Sequence, residues 1–145
     1  LVTPTGFGNP RRMTNGIDVN RVLLLIAVLE KRARMNLSNS DIYVNVAGGL
    51  RIDETAVDLG ICAAVATSQA DIPLPPDMIF IGEVGLGGEL RGVSQLEKRI
   101  NEAAKLGFKS AIVPKQSLRG VKIPNGFAAY GIKTISEMIN MLRRK

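Results

Sequence analysis

Gly82-Glu83-Val84-Gly85-Leu86-Gly87-Gly88-Glu89-Leu90-Arg91 is the stretch that separates two kinds of α/β protein. A glycine-rich loop that cradles phosphates opens a helix, so that backbone N–H groups and the positive helix end face the anion. These glycines match neither a Walker Gly-x-x-x-x-Gly-Lys-Ser/Thr loop nor a complete dinucleotide fingerprint. They lie between two extended segments instead. Met78 to Val84 reads as a strand, and Glu89-Leu90-Arg91 leads out as a second one. Glycine supplies the positive φ that a tight hairpin needs. The stretch is therefore expected to be a hairpin turn, and this chain is not expected to hydrolyse ATP.

The rest of the chain organises around that hairpin. Downstream, Ser94-Gln95-Leu96-Glu97 has the form of a capping box, followed by Leu96, Ile100, Ala103 and Ala104 on one helical face and Gly107 as a C-cap. Ser110 to Val113 is a short strand stopped by Pro114, and Ala128 to Ile132 is a further one. Thr134-Ile135-Ser136-Glu137 is a second capping box, opening an amphipathic helix with Ile135, Met138, Ile139 and Leu142 inward. Upstream, Pro73, Pro75 and Pro76 stiffen a connection. Before it, Ala56 to Gln69 is apolar almost all round, which predicts burial on most faces, with Asp53-Glu54-Thr55 as caps and Asp58 a lone charge. Asp41 to Ala47 is a β-branched strand ended by Gly48-Gly49. Asn15-Gly16-Ile17-Asp18 reads as a turn and N-cap for a first, largely buried helix from Val19 to about Met35, carrying Val22, Leu23, Ile26, Ala27 and Leu29. Leu1 to Thr5 reads as the tail of a strand, which predicts more protein upstream. The alternation predicts one α/β sandwich over residues 1–145.

Composition narrows the chemistry. The chain has 145 residues, enough for a core without disulfides or metal, and a net charge of +6. No apolar run approaches the roughly 18 residues that span a bilayer, and no signal peptide is visible. The single cysteine, Cys62, sits in an apolar stretch and reads as a small core residue in a reducing, cytoplasmic setting. There is no histidine, which excludes Ser-His-Asp and Cys-His triads and most zinc sites. A Ser-Lys dyad is the hydrolase route that remains.

The segment from Gly82 to Val93, with Leu96-Glu97-Lys98-Arg99 and the run Ala103 to Pro114, resembles the proteolytic domain of Lon proteases. The likeness is good from about Asp41 to Pro114 and looser at the ends. It implies a Lon-like fold with a nucleophile in Gly-Pro-Ser-Ala-Gly. Here the matching stretch is Ala56-Val57-Asp58-Leu59-Gly60, so Asp58 occupies the serine position and Arg99 the lysine position, with Lys98 beside it. A carboxylate is a poor peptide nucleophile, and an arginine stays protonated. The resemblance therefore implies a degenerate, non-catalytic site. The two charges predict an Asp58–Arg99 ion pair tying the second helix to the third, the alternative being an Asp58 that caps or faces water.

Asn9-Pro10-Arg11-Arg12, Gly16-Ile17-Asp18-Val19-Asn20-Arg21, Val44-Asn45-Val46-Ala47-Gly48-Gly49 and Gly82-Glu83-Val84-Gly85-Leu86 together resemble the C-terminal Lon-like domain of the bacterial RadA (Sms) recombination family, nearly end to end. That resemblance implies a scaffold and DNA-binding part of a hexameric, DNA-dependent ATPase and branch-migration motor. Its zinc finger and RecA-like core, with zinc, ATP and magnesium, lie outside this chain. No metal or cofactor is expected here.

DNA contact would fall on the cations. Residues 1–36 hold six of them against Asp18 and Glu30, a local +4. Arg11 and Arg12 lie on a Gly- and Asn-rich loop suited to gripping phosphates, or else to solvent or subunit contacts. Arg21, Arg91 and Lys98 are further candidates, the last two with Arg99 along the old cleft. Lys31, Arg32 and Arg34 are explained by the helix dipole, and Arg143-Arg144-Lys145 by a solvated tail. Aromatics are only 4%, so base stacking has little support and sequence-blind backbone contact is expected.

Overall fold

The computed structural model describes residues 1–144. Its first sheet joins β1 (Val2–Pro4), β3 (Ser40–Asn45) and β2 (Arg12–Asn15) in that order, β1 antiparallel and β2 parallel to β3. The parallel step from β2 to β3 is bridged by helix α1 (Val19–Arg32). Asp18 caps that helix through a bond from the Asn20 N–H at 3.3 Å. The helix stops three residues before the expected Met35, because Ala33 closes it and Arg34 takes a left-handed φ of 56°.

The second sheet is parallel: β4 (Met78–Phe80), β7 (Ser110–Pro114) and β8 (Ala128–Ile132), in the order β4-β7-β8. Side chains of a strand alternate between faces. Ile112 of β7 enters the main core with Ile132, while Ala111 and Val113 turn to a second core under helix α3 (Leu96–Lys105), built on Leu96, Ile100 and Ala103. The main core is filled by α1, by α2 (Asp58–Ala70) and by α4 (Ile135–Arg143), all three in mutual contact. A sheet covered on both faces accounts for the near-continuous apolar run of β7.

The expected strand from Met78 to Val84 is broken. After Ile81, whose N–H still bonds to the Ile112 carbonyl, Gly82 leaves the sheet and attaches to the start of α2. The Gly82 carbonyl accepts from the Leu59 N–H at 3.0 Å, and its own N–H donates to the Ala56 carbonyl at 2.9 Å. Helix N-termini leave N–H groups without intrahelical partners, and here the chain itself supplies one acceptor. The expected caps from Asp53-Glu54-Thr55 do not form, since the Thr55 hydroxyl turns to Glu83 at 3.2 Å. Glu83–Val84 (β5) then pairs antiparallel with Leu90–Arg91 (β6), so the glycine stretch is a hairpin turn.

Of the two capping boxes, the second forms in part. The Thr134 hydroxyl accepts from the Glu137 N–H at 3.3 Å, but Glu137 reaches back to the Lys133 N–H rather than to the cap residue. The first does not form. Gln95 precedes α3 in a left-handed conformation, and Glu97 is drawn away to the Lys122 N–H at 2.8 Å. The first helix is also less buried than expected, because Leu23 and Leu24 are 42% and 44% exposed and Ala27 faces solvent. Among the described residues no helix is long and apolar enough to cross a membrane.

Candidate functional site

The first turn of α2 carries Asp58, whose side chain is 0% exposed. A buried carboxylate is stable only if its oxygens are bonded and its charge is met. Arg21, two residues into the first full turn of α1, supplies both. Its Nε donates to Oδ1 at 2.9 Å and its Nη2 to Oδ2 in a fork-on-fork pair. The Val84 N–H of β5 gives Oδ2 a further donor at 3.0 Å. Bonding to Asp58, more than its charge alone, raises the Arg21 guanidinium above its ordinary range against the opposing effect of burial. One turn along α2, Cys62 is fully buried, and burial pushes its thiol up to about 12, with Asp58 adding to the effect. It is a core residue, as its neighbours in the sequence indicated.

The expected Asp58–Arg99 ion pair is absent. Arg99 Nη2 instead donates to Glu54, and its Nε to the Ser94 carbonyl at 2.9 Å. The reason is geometric: Asp58 points inward to α1 and β5, while Arg99 lies on the outer side of the segment leading into α2. There, Arg99 and Glu54 stand on the wall of an apolar cavity of about 510 Å³, bounded by α2 through Gly60, Ile61 and Ala64 and by β3 through Tyr43 and Val44. The two positions of the expected dyad therefore serve different structures. Neither Glu54 nor Arg21 was marked by the sequence as the partner of either.

The cations expected at DNA are scattered. Arg21 is committed to Asp58 and only 28% exposed, so its guanidinium is structural. Arg12 does not lie on the expected loop: it opens β2 opposite Ile42, and its side chain is used within the fold, Nη1 donating to the Ser40 carbonyl and Nη2 to the Leu37 carbonyl at 2.9 Å. Arg11 is exposed, and its backbone N–H donates to Asp41 Oδ1 at 2.8 Å. That bond above all, with the Thr5 hydroxyl and the two arginine charges, holds the Asp41 carboxyl below the usual range. Arg91, at the end of β6, and Lys98, on α3, are both exposed. Neither lines the apolar cavity, although Arg99 does. Arg143 and Arg144 are exposed, and Lys145 lies outside the described residues. Among the described residues, no group of His, Cys, Asp or Glu side chains is arranged to hold a metal ion.

A family model described as subunit ChlI of Mg-chelatase matches residues 20–117, which run from α1 through the hairpin to the turn after β7. The chain belongs to that family. It is also 51% identical over 141 residues to the DNA repair protein RadA of Halalkalibacterium halodurans, a match covering 97% of this chain and 31% of that protein. The protein of the same name from Bacillus subtilis is 52% identical over 139 residues, 96% of this chain and 30% of its own length. That of Streptococcus pneumoniae is 51% identical over 139 residues, 96% and 33%. The chain thus spans about a third of the length of these curated relatives, and the resemblance read from Arg11-Arg12, Gly16-Ile17-Asp18 and the hairpin is met by proteins of that name.

Proposed function

We propose that residues 1–145 form a non-catalytic, Lon-protease-like domain that acts as scaffold and DNA-binding part of a RadA-type protein in DNA repair and recombination. The observation that carries the loss of catalysis is the state of Asp58. A nucleophile must reach a substrate, and a base beside it must take up a proton. The carboxylate at the serine position is sealed under α1 and held by three donors, and the arginine at the lysine position is neutralised by Glu54. The setting in DNA repair is supported by relatives of about half identity along nearly the whole chain. Zinc, ATP and magnesium belong, on this reading, to the remaining two thirds of such proteins, which work in the cytoplasm as hexameric rings.

Fluorescence anisotropy of a labelled duplex, titrated at several salt concentrations, tests the DNA half of the proposal. Phosphate contact gives an affinity that falls linearly on a log–log salt plot. Absence of binding at low salt would remove it. Labelling by a fluorophosphonate probe would overturn the non-catalytic half. A second reading, self-association without DNA contact, is favoured by the apolar stripe of Val19, Leu23 and Leu24 left exposed on α1. It predicts multimers in light scattering and a flat anisotropy titration.

A further inference from the structure

We infer that the groove between β8 and the 3₁₀ turn that follows β7 is the surface on which this domain holds the phosphate backbone of duplex DNA. The inference rests on the DNA-binding reading above and assigns it a place that none of the N-terminal arginines occupies.

The groove has a volume of about 830 Å³, and Lys115, Arg119 and Lys133 stand on its walls. All three are exposed, and among the described residues none is in an ion pair. Glu89 is the one carboxylate in the lining, and it folds back to accept from the Gly87 N–H at 3.0 Å in the hairpin turn. Three like charges gathered on one concave surface repel one another and raise the local potential for an anion from outside. The walls are closely packed on each other. Lys115–Leu118 is the 3₁₀ turn, and it packs so tightly on β8 that a side chain at Gly131 would bring its Cβ within 2.8 Å of Leu118 Cδ1 and 3.0 Å of Lys115 Cα. Gly131 thereby sets Lys115 close against the strand that leads into Lys133. The floor is aliphatic, with Leu90, Leu118 and Ile132, and the lining contains no aromatic ring. Bases of a single strand would find nothing to stack on. Backbone phosphates of a duplex need only cations and donors, which Lys115, Arg119, Lys133 and the Gln116 amide provide.

The test is a salt series of duplex anisotropy on the 145-residue chain and on two variants, K115Q/R119Q/K133Q and R11Q. Thermal melts of each check that the exposed substitutions leave the fold intact. Each phosphate neutralised contributes about 0.9 to the log–log slope. The triple variant is expected to lose about 2 to 3 from that slope, and R11Q less than about 1. Wild-type binding with an unchanged slope in the triple variant would overturn the groove while leaving the DNA-binding reading intact. A wild-type chain that does not bind duplex at all would overturn both.

Discussion

Replacing Arg21 by Met should be among the most damaging single substitutions in this domain, although Arg21 is a partly exposed, charged residue of the first helix. The side chain of Met roughly keeps the aliphatic volume and removes the guanidinium. Asp58 then stays fully buried with the Val84 N–H as its one remaining donor. Breaking a buried pair from one side costs about 3–5 kcal/mol, because the other charge is left uncompensated. Unfolding entropy of about 2.1 cal/mol/K per residue gives about 0.3 kcal/mol/K for a chain of this size, so the melting temperature should fall by about 10–15 °C. Asp58→Asn is the milder half. It leaves a neutral amide in place and strands a guanidinium that is 28% exposed and able to reach water, at a cost of about 1–3 kcal/mol. The double variant should lose less than the two singles together, with a coupling energy of about 1–3 kcal/mol. Urea unfolding followed by far-ultraviolet circular dichroism suits a chain without tryptophan. Arg99→Met provides the contrast. Its partner Glu54 is on the surface, so the loss should be about 0–1 kcal/mol, with no coupling to Asp58→Asn. The reasoning fails if Arg21→Met costs no more than Arg99→Met, or if the Arg21 and Asp58 substitutions simply add.

Three further outcomes follow from local features. The Cys62 thiol is raised to about 12, so between an unfolded thiol's roughly 8.5 and that value the folded chain keeps a proton that the unfolded chain has released. Stability should therefore fall as pH rises through that window, by at most about 1.4 kcal/mol per pH unit, and Cys62→Ala should flatten the decline in urea midpoints measured at pH 8 and pH 10. Gly16 sits at a φ of +87°, and an added Cβ would stand 2.4 Å from the Leu50 carbonyl oxygen and 2.7 Å from Val46 Cβ. Gly16→Ala should cost at least about 1–3 kcal/mol from the backbone conformation alone, visible as a lowered melting temperature. Thr134→Ala removes the N-cap of α4 and should cost about 1 kcal/mol, whereas Ser94→Ala, at the box that does not form, should leave the urea midpoint unchanged.

What could be read along the chain is what neighbouring residues decide among themselves. The hairpin at Gly85–Gly88, the Asp18 cap, the strand Ser110–Pro114 and the amphipathic α4 are each specified by periodicity, β-branching or a cap within a few residues. That positions 58 and 99 carry Asp and Arg is likewise legible, because it is a matter of residue identity. The partners of those residues are not. Asp58 meets Arg21 across 37 residues and Arg99 meets Glu54 across 45. Lys133 comes beside Lys115 only because β8 lies parallel against β7 with a glycine where the turn packs. Pairings of this kind depend on how helices and strands are rotated and stacked, and turning α1 by one residue would carry Arg21 away from Asp58 with no change in its own helical pattern. The sequence by itself determined most of the helices, the hairpin and the strand after α3; the tertiary structure alone decided where β2 forms, where the strand from Met78 breaks, and which charges are spent on one another and which stay exposed, since that is settled by distances between segments and by burial.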